Sequence, residues 1–213
     1  MQEEQEKRWR RRSDARPSEL TAAAFALFAE QGFAATRLED VATRAGVSKA
    51  TIYRYFDSKD ALFEAVVKSA IAPRFAEAEM LVDAFEGTSP DLLRTFFKVA
   101  RGALAGPMPA LLKMIVSESG TFPQLATLWA DLVVSKMMGL VARIIARGIE
   151  RREFRPVDLA VIGPIIAAPV VLLALVKQTF SHTQMQFDHD RVLDQHIEIL
   201  LRGLAGSSEA PAP

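Results

Sequence analysis

A chain of 213 residues, half of them hydrophobic, can build a substantial core, which excludes a wholly disordered protein. Its 26 Lys and Arg balance 26 Asp and Glu, so any contact with nucleic acid has to come from a local basic patch rather than from overall charge. The absence of cysteine excludes disulfides, thiol catalysis and thiolate metal sites, and suits a reducing cytoplasm, where the protein is expected.

Residues 1–16 are polar, carry the basic run Lys7-Arg8-Trp9-Arg10-Arg11-Arg12, and contain no apolar stretch of the kind a signal peptide needs. They read as a flexible basic arm, either a solvated tail or a reader of the DNA minor groove. A first helix is expected from about Pro17, with Leu20, Ala24, Leu27 and Phe28 as its apolar stripe and Gly32 at its end. Thr36 followed by Glu39 reads as a capping box opening a second helix, Leu38 to Ala45. Gly46 breaks it. Ser48 can cap a third helix running to about Tyr55, and Asp57 or Ser58 a fourth, with Leu62, Phe63, Val66 and Val67 on its buried faces.

Further helices are expected at Asp91–Ala105, Pro109–Ser117, Pro123–Arg152, Val157–Phe180 and His189–Leu204, with Pro73 kinking or interrupting the fourth. No segment alternates with the β-branched density of a strand, so the fold class is all-α. The expected domains are an N-terminal three-helix helix-turn-helix domain over 17–70 and a C-terminal helical domain over 71–205, followed by a flexible tail, 206–213.

The stretch Leu38 to Tyr55, LEDVATRAGVSKATIYRY, has the steric pattern of a helix-turn-helix. Ala42 is small where two helices must approach. Gly46, four residues on, supplies the left-handed conformation that a β-carbon penalises. Val41, Ala45, Val47 and Ile52 are apolar where the helices cross, whereas Lys49, Thr51, Tyr53 and Arg54 form a polar face suited to the major groove. Segment 44–59 carries Arg44, Lys49, Arg54 and Lys59 against Asp57 alone, a local excess of three positive charges.

From about residue 17 to 67 the sequence resembles the TetR/AcrR family of transcription regulators, through AAAFALFAEQGF, Thr36 and DVATRAGVSKATIYRYFDSKDALF. The resemblance implies that Thr36, Ser48, Thr51, Tyr53 and Lys59 contact the DNA backbone and that Lys49, Ala50 and Arg54 face the bases. The chemistry of these residues agrees. A phosphate would relieve the conflict between the Lys59 cation and the helix N-terminus beneath it. The hydroxyls of Tyr53 and Thr51 can position the helix, and Arg54 can pair with guanine through two hydrogen bonds. Phe56 reads as a core residue and Arg44 as a solvated charge; Tyr55 stays open between core and contact.

In the C-terminal half, Lys113 to Val133 and the segment HIEILLRGL are similar to the C-terminal domain of AcrR-type members, which senses ligands and dimerises. Phe96, Met114, Glu118, Trp129 and Met137 are the candidate ligand-binding residues, because Met and aromatic side chains line adaptable apolar pockets. They serve equally as core. Glu118 shares a helical face with Leu111 and Ile115, so it is expected either to pair with an arginine or to receive a cationic ligand group. Leu193, Ile197, Leu200 and Leu204 form one stripe, and Val192, His196, Ile199 and Gly203 form its neighbour. These, with Leu193, His196, Ile197, Leu200 and Leu204 as the interface residues, are expected to make the dimer together with the apolar segment Leu159–Val176. That segment is long enough to consider as a membrane span, but Pro164 and Pro169 argue for a buried helix and no membrane partner is expected. His182, His189 and His196 recur every seven residues, about 10 Å apart on a helix, too far to share a metal. No metal and no cofactor is expected. The partners expected are double-stranded DNA with a pseudo-palindromic operator, a small-molecule effector and a second copy of the chain. An all-α enzyme is the poorer reading, for want of a thiol nucleophile, a phosphate loop or clustered His and carboxylates.

Overall fold

A computed structural model describes residues 2–180 and 187–206, with residues 2–16 and 103 described by their main chain. The side chains of the basic arm, the tail beyond Gly206 and His182 lie outside the described residues. Every regular element among the described residues is helical, and the chain clusters into two units, Met1–Ile71 with Met114–Trp129, and Ala72–Lys113 with Ala130–Pro213.

The first unit contains α1 (Gln2–Ala35), α2 (Leu38–Arg44), α3 (Lys49–Tyr55), the start of α4 (Lys59–Ala84), the end of α6 (Met108–Glu118) and α7 (Pro123–Trp129). The main chain is already helical ahead of Pro17, where sequence placed the start of the helix. Helical geometry fails at Gly32, whose φ of 83° and ψ of 173° are open to glycine alone. The core of this unit is aromatic. Phe33 packs against Phe28, Phe63 and Phe122 with ring centroids 5.2–5.6 Å apart, and Phe28 meets Phe63 edge-on. Such pairs contribute about 0.5–1.5 kcal/mol each beyond simple burial.

The second unit is a bundle of α5 (Ser89–Ala105), α8 (Ser135–Glu150), α9 (Leu159–Thr179) and α10 (His189–Leu204), packed around Leu92, Leu93, Ile144 and Ile145. The single helix expected over Pro123–Arg152 is divided: a π-helical turn, Ala130–Val134, separates α7 from α8. One extra residue per turn there rotates every side chain that follows, which a helical period read across the segment does not reveal.

α4 runs on through Pro73, where a kink or interruption was expected, and α9 runs through Pro164 and Pro169 within the single helix expected there. The carbonyls that each proline deprives of a partner belong to Ser69, Ala160 and Ile165, all exposed, where water can satisfy them.

The stripe expected to form the dimer is a correction. Leu193, Ile197, Leu200 and Leu204 are 1–8 % exposed, covered by their own bundle. His196 is half-buried among them, its ring 5.8 Å from that of Phe97 and its Nε2 3.4 Å from the Ile166 carbonyl. The face of α10 left open carries Val192 and Ile199, which belong to the neighbouring stripe, and that of α9 carries Val161, Ile165, Val171 and Leu172. Periodicity finds an apolar stripe but does not say whether the same chain or another covers it.

Candidate nucleic-acid interface

The α2–α3 corner is built by its backbone. Gly46 takes a φ of 65°, Val47 N–H donates to the Ala42 carbonyl at 2.9 Å and Gly46 N–H to that of Thr43 at 3.1 Å. This left-handed cap stops α2 and turns the chain sharply into α3. No neighbour lies near the absent Gly46 side chain, so the conformation, not space, demands the glycine. Val41, Ala42 and Ile52 are buried where the two helices cross, while Ala45 and Val47 are only half-covered. Ser48 caps α3 as expected, accepting from Thr51 N–H at 3.2 Å, and its hydroxyl lies 2.9 Å from that of Thr51.

Outward, α3 presents Ser48, Lys49, Ala50, Tyr53 and Arg54, all exposed, with Thr51 half-exposed. Phe56 is buried. Tyr55 is half-buried and its hydroxyl accepts from Arg54 at 3.2 Å. Arg44 is held in a two-pronged pair with Glu30, which draws the Glu30 carboxyl down.

Glu39 is the residue that sequence assigned wrongly. It does not complete a capping box with Thr36; the N-cap of α2 is Arg37, whose N–H donates to Asp40 at 3.3 Å. Glu39 faces α3 instead, where its Oε1 accepts from Lys49 Nζ at 2.8 Å and from the Tyr53 hydroxyl at 3.0 Å. The Lys49 ammonium, then Glu39's own main-chain N–H, then the Tyr53 hydroxyl hold its carboxyl at about 2. No local signal marked this pairing, because it depends on the crossing of two helices.

Of the residues named with the DNA contacts, Thr36 faces inward and Lys59 is half-buried. Thr36 is 1 % exposed; its hydroxyl donates to the Gly32 carbonyl at 2.7 Å and accepts from Gln31. A phosphate has no access to it. Lys59 resolves its conflict with the start of α4 without a phosphate. Its ammonium donates to the carbonyls of Phe33 at 2.7 Å and Ala34 at 3.1 Å and lies 4.4 Å from the centre of the Phe33 ring. Burial draws its pKa down, opposed by the nearby Glu118 and Asp60 carboxylates.

Glu118 completes that corner and corrects both readings made of it. It pairs neither with an arginine nor with an open pocket, because its two carboxylate oxygens accept from the N–H groups of Phe33 and Ala34 at 2.7 Å each. The other ligand candidates divide between the units: Met114 and Trp129 lie with Glu118 in the first, Phe96 and Met137 in the second. Phe96, Met114 and Trp129 are buried and Met137 is half-buried. None of the five lines the surface groove of about 200 Å³ in the second unit, which is formed by Arg94, Phe97, Lys98, Arg101, Leu193 and Ile197 with Asp194 and Glu198.

Residues 20–66 match the family model described as bacterial regulatory proteins, tetR family. The chain is 25 % identical over 195 residues to the uncharacterized HTH-type transcriptional regulator YvaF of Bacillus subtilis, covering 91 % of this chain and 97 % of that one. It is 33 % identical over 67 residues to the HTH-type transcriptional repressor KstR2 of Rhodococcus jostii, about a third of each chain. In fold it is similar to the transcriptional regulator FadR of Bacillus subtilis, solved in complex with stearoyl-CoA, with a TM-score of 0.74 and 17 % identity over 88 % of this chain and 98 % of that one.

Proposed function

We propose that the chain, whose residues 20–66 match the tetR family model, is a helix-turn-helix transcription regulator of that family, binding a pseudo-palindromic operator as a homodimer and repressing until a small, largely apolar ligand releases it. The observation that carries the DNA reading is the outward face of α3, where Lys49, Ala50, Tyr53 and Arg54 stand exposed on a helix anchored from behind by Ile52 and Phe56. Lysine, arginine and hydroxyl groups on one exposed helical face match what the major groove presents. Ser48 and Thr51 supply hydroxyls to the backbone at the start of the same helix.

The second copy is argued from α9 and α10. Val161, Ile165, Leu172 and Ile199 are 49–61 % exposed in the single chain, more apolar surface than water tolerates in one place. A two-fold partner covers such a face and sets two reading heads toward successive turns of DNA. α9 is also long and apolar enough to cross a membrane, so solubility without detergent belongs to the same test. The ligand is argued from the buried Met and aromatic side chains and from the stearoyl-CoA held by the FadR neighbour. Repression is supported by the name of the KstR2 relative.

Selection of tight-binding duplexes from a random library, followed by footprinting, tests the whole reading. The expected result is an inverted repeat protected over both halves. A protein that enriches no sequence, or that binds as a monomer, overturns it.

A further inference from the structure

Lys49 has 67 % of its side chain open to solvent, yet it is not a free charge. Its ammonium is paired at 2.8 Å with Glu39, which also accepts from Tyr53 at 3.0 Å. The carboxylate comes from α2, so it is fixed by the helix crossing and not by α3 itself.

Such a pairing separates two properties of lysine that normally act together. Attraction to phosphate is electrostatic, acts on any sequence and grows as salt falls. Hydrogen bonding to a base edge is short-ranged and needs only an N–H in the right place. An ammonium has three N–H groups, and Glu39 engages one. The adjacent negative charge cancels most of the long-range field, while the remaining donors stay available at contact distance. Glu39 also holds the Tyr53 hydroxyl, so two groups of the outward face are set by one carboxylate in the DNA-free protein.

We infer that Glu39 is a specificity-determining residue, holding Lys49 as a reader of base edges by removing its value as a general phosphate anchor. This rests on the reading of α3 as the helix that enters DNA. Glu39 therefore lowers affinity for unrelated DNA more than affinity for the operator, and widens the ratio between them.

The test compares wild type, Glu39→Gln, Lys49→Ala and the double variant on a library-selected duplex and a scrambled duplex over a range of salt. Glutamine keeps an oxygen that accepts from Lys49 and Tyr53 but carries no charge. Releasing one cation to phosphate should steepen the plot of log affinity against log salt by about 0.9 per protomer and tighten scrambled DNA about fivefold per protomer at 0.15 M salt. Operator affinity should rise less, so the operator-to-scrambled ratio should fall. The double variant should return to the wild-type slope, because the cation that was freed is gone. Equal tightening on both duplexes would overturn the inference, as would weakening on both with an unchanged slope. Melting curves of each variant separate these outcomes from loss of fold. If wild type itself prefers no sequence, the underlying DNA reading fails first, and that result shows before any variant is made.

Discussion

Gly32 and Glu118 compete for the same space: a β-carbon on residue 32 would collide with Oε1 of Glu118. That oxygen is bonded to the Phe33 N–H, so the carboxylate has nowhere to retreat without giving up a hydrogen bond. Gly32→Ala therefore meets two penalties, the clash and a φ of 83°. It should destabilise the protein by about 1–3 kcal/mol. Glu118→Ala should cost about as much, chiefly by stranding the main-chain donor of buried Phe33, since that of Ala34 is open to water. The double variant should cost less than the sum, because the clash disappears with the carboxylate. Denaturant titration of the four proteins measures this. Strict additivity would show that the two residues do not share the space.

On DNA, Arg54→Ala should cost about 1–3 kcal/mol and relax preference at one base position per half-site, and Tyr53→Phe should weaken all sequences alike. Both side chains are exposed, so neither variant should move the melting midpoint. Lys59→Ala is expected to behave differently. It removes two hydrogen bonds to the end of α1 and should lower the midpoint as well as weaken DNA of every sequence. An Arg54→Ala protein that loses operator and scrambled DNA equally would reassign Arg54 to the phosphates.

The Glu39 carboxyl offers a direct titration. Its pKa is held at about 2, below its ordinary value of 4.5, first by Lys49. A carboxyl with a lowered folded pKa stabilises above its unfolded pKa, and that contribution fades as pH falls from about 4.5 through about 2. Carbon-detected NMR should show Glu39 titrating near the bottom of this window, and Lys49→Ala should raise the midpoint. A midpoint that ignores the loss of Lys49 would mean the pair is not formed in solution.

Leu200 and Ile199 are neighbours in sequence with opposite environments, 8 % and 61 % exposed. Leu200→Glu should bury a charge and unfold the second unit. Ile199→Glu, and Leu172→Glu on α9, should leave the chain folded and split the proposed dimer, with operator affinity falling although no DNA contact is touched. Light scattering beside circular dichroism separates the two results. A dimer that survives both Ile199→Glu and Leu172→Glu would move the interface elsewhere.

If a ligand releases the operator, the coupling is reciprocal: operator DNA must lower ligand affinity by the same factor. Calorimetry with a long-chain acyl-CoA as the first probe, with and without saturating operator, measures both. An acyl-CoA that binds with a dissociation constant unmoved by operator would exclude it as the inducer.

The legible parts of the fold were those written in local chemistry. Gly46 could be assigned its left-handed turn because only the residue itself matters there, and the bounds of α10 follow the apolar period ending at Leu204. Thr36 and Glu39 misled because they match a capping-box spacing, while the choice between Thr36, Arg37 and their acceptors is made by the break at Gly32. Glu118 and Lys59 were illegible as a pair, since each acts on Phe33 and Ala34 through contacts that depend on how α1, α4 and α6 assemble. Leu193, Ile197, Leu200 and Leu204 were correctly grouped as one apolar face and wrongly given to a second copy.

The carboxylate that satisfies Phe33 arrives 85 residues later in the chain. During synthesis at about 5–20 residues per second, α6 follows α4 out of the ribosome by roughly 2–10 seconds. For that interval the N-terminal helices are present, yet the N–H groups of Phe33 and Ala34 lack Glu118 and the Phe33 ring lacks Phe122. The same gap faces anyone who builds a chimaeric protein by cutting at Ile71. The fragment would keep every residue of α3 and lose the support beneath the corner that aims it, so a transplantable module has to carry Met114–Trp129 as well.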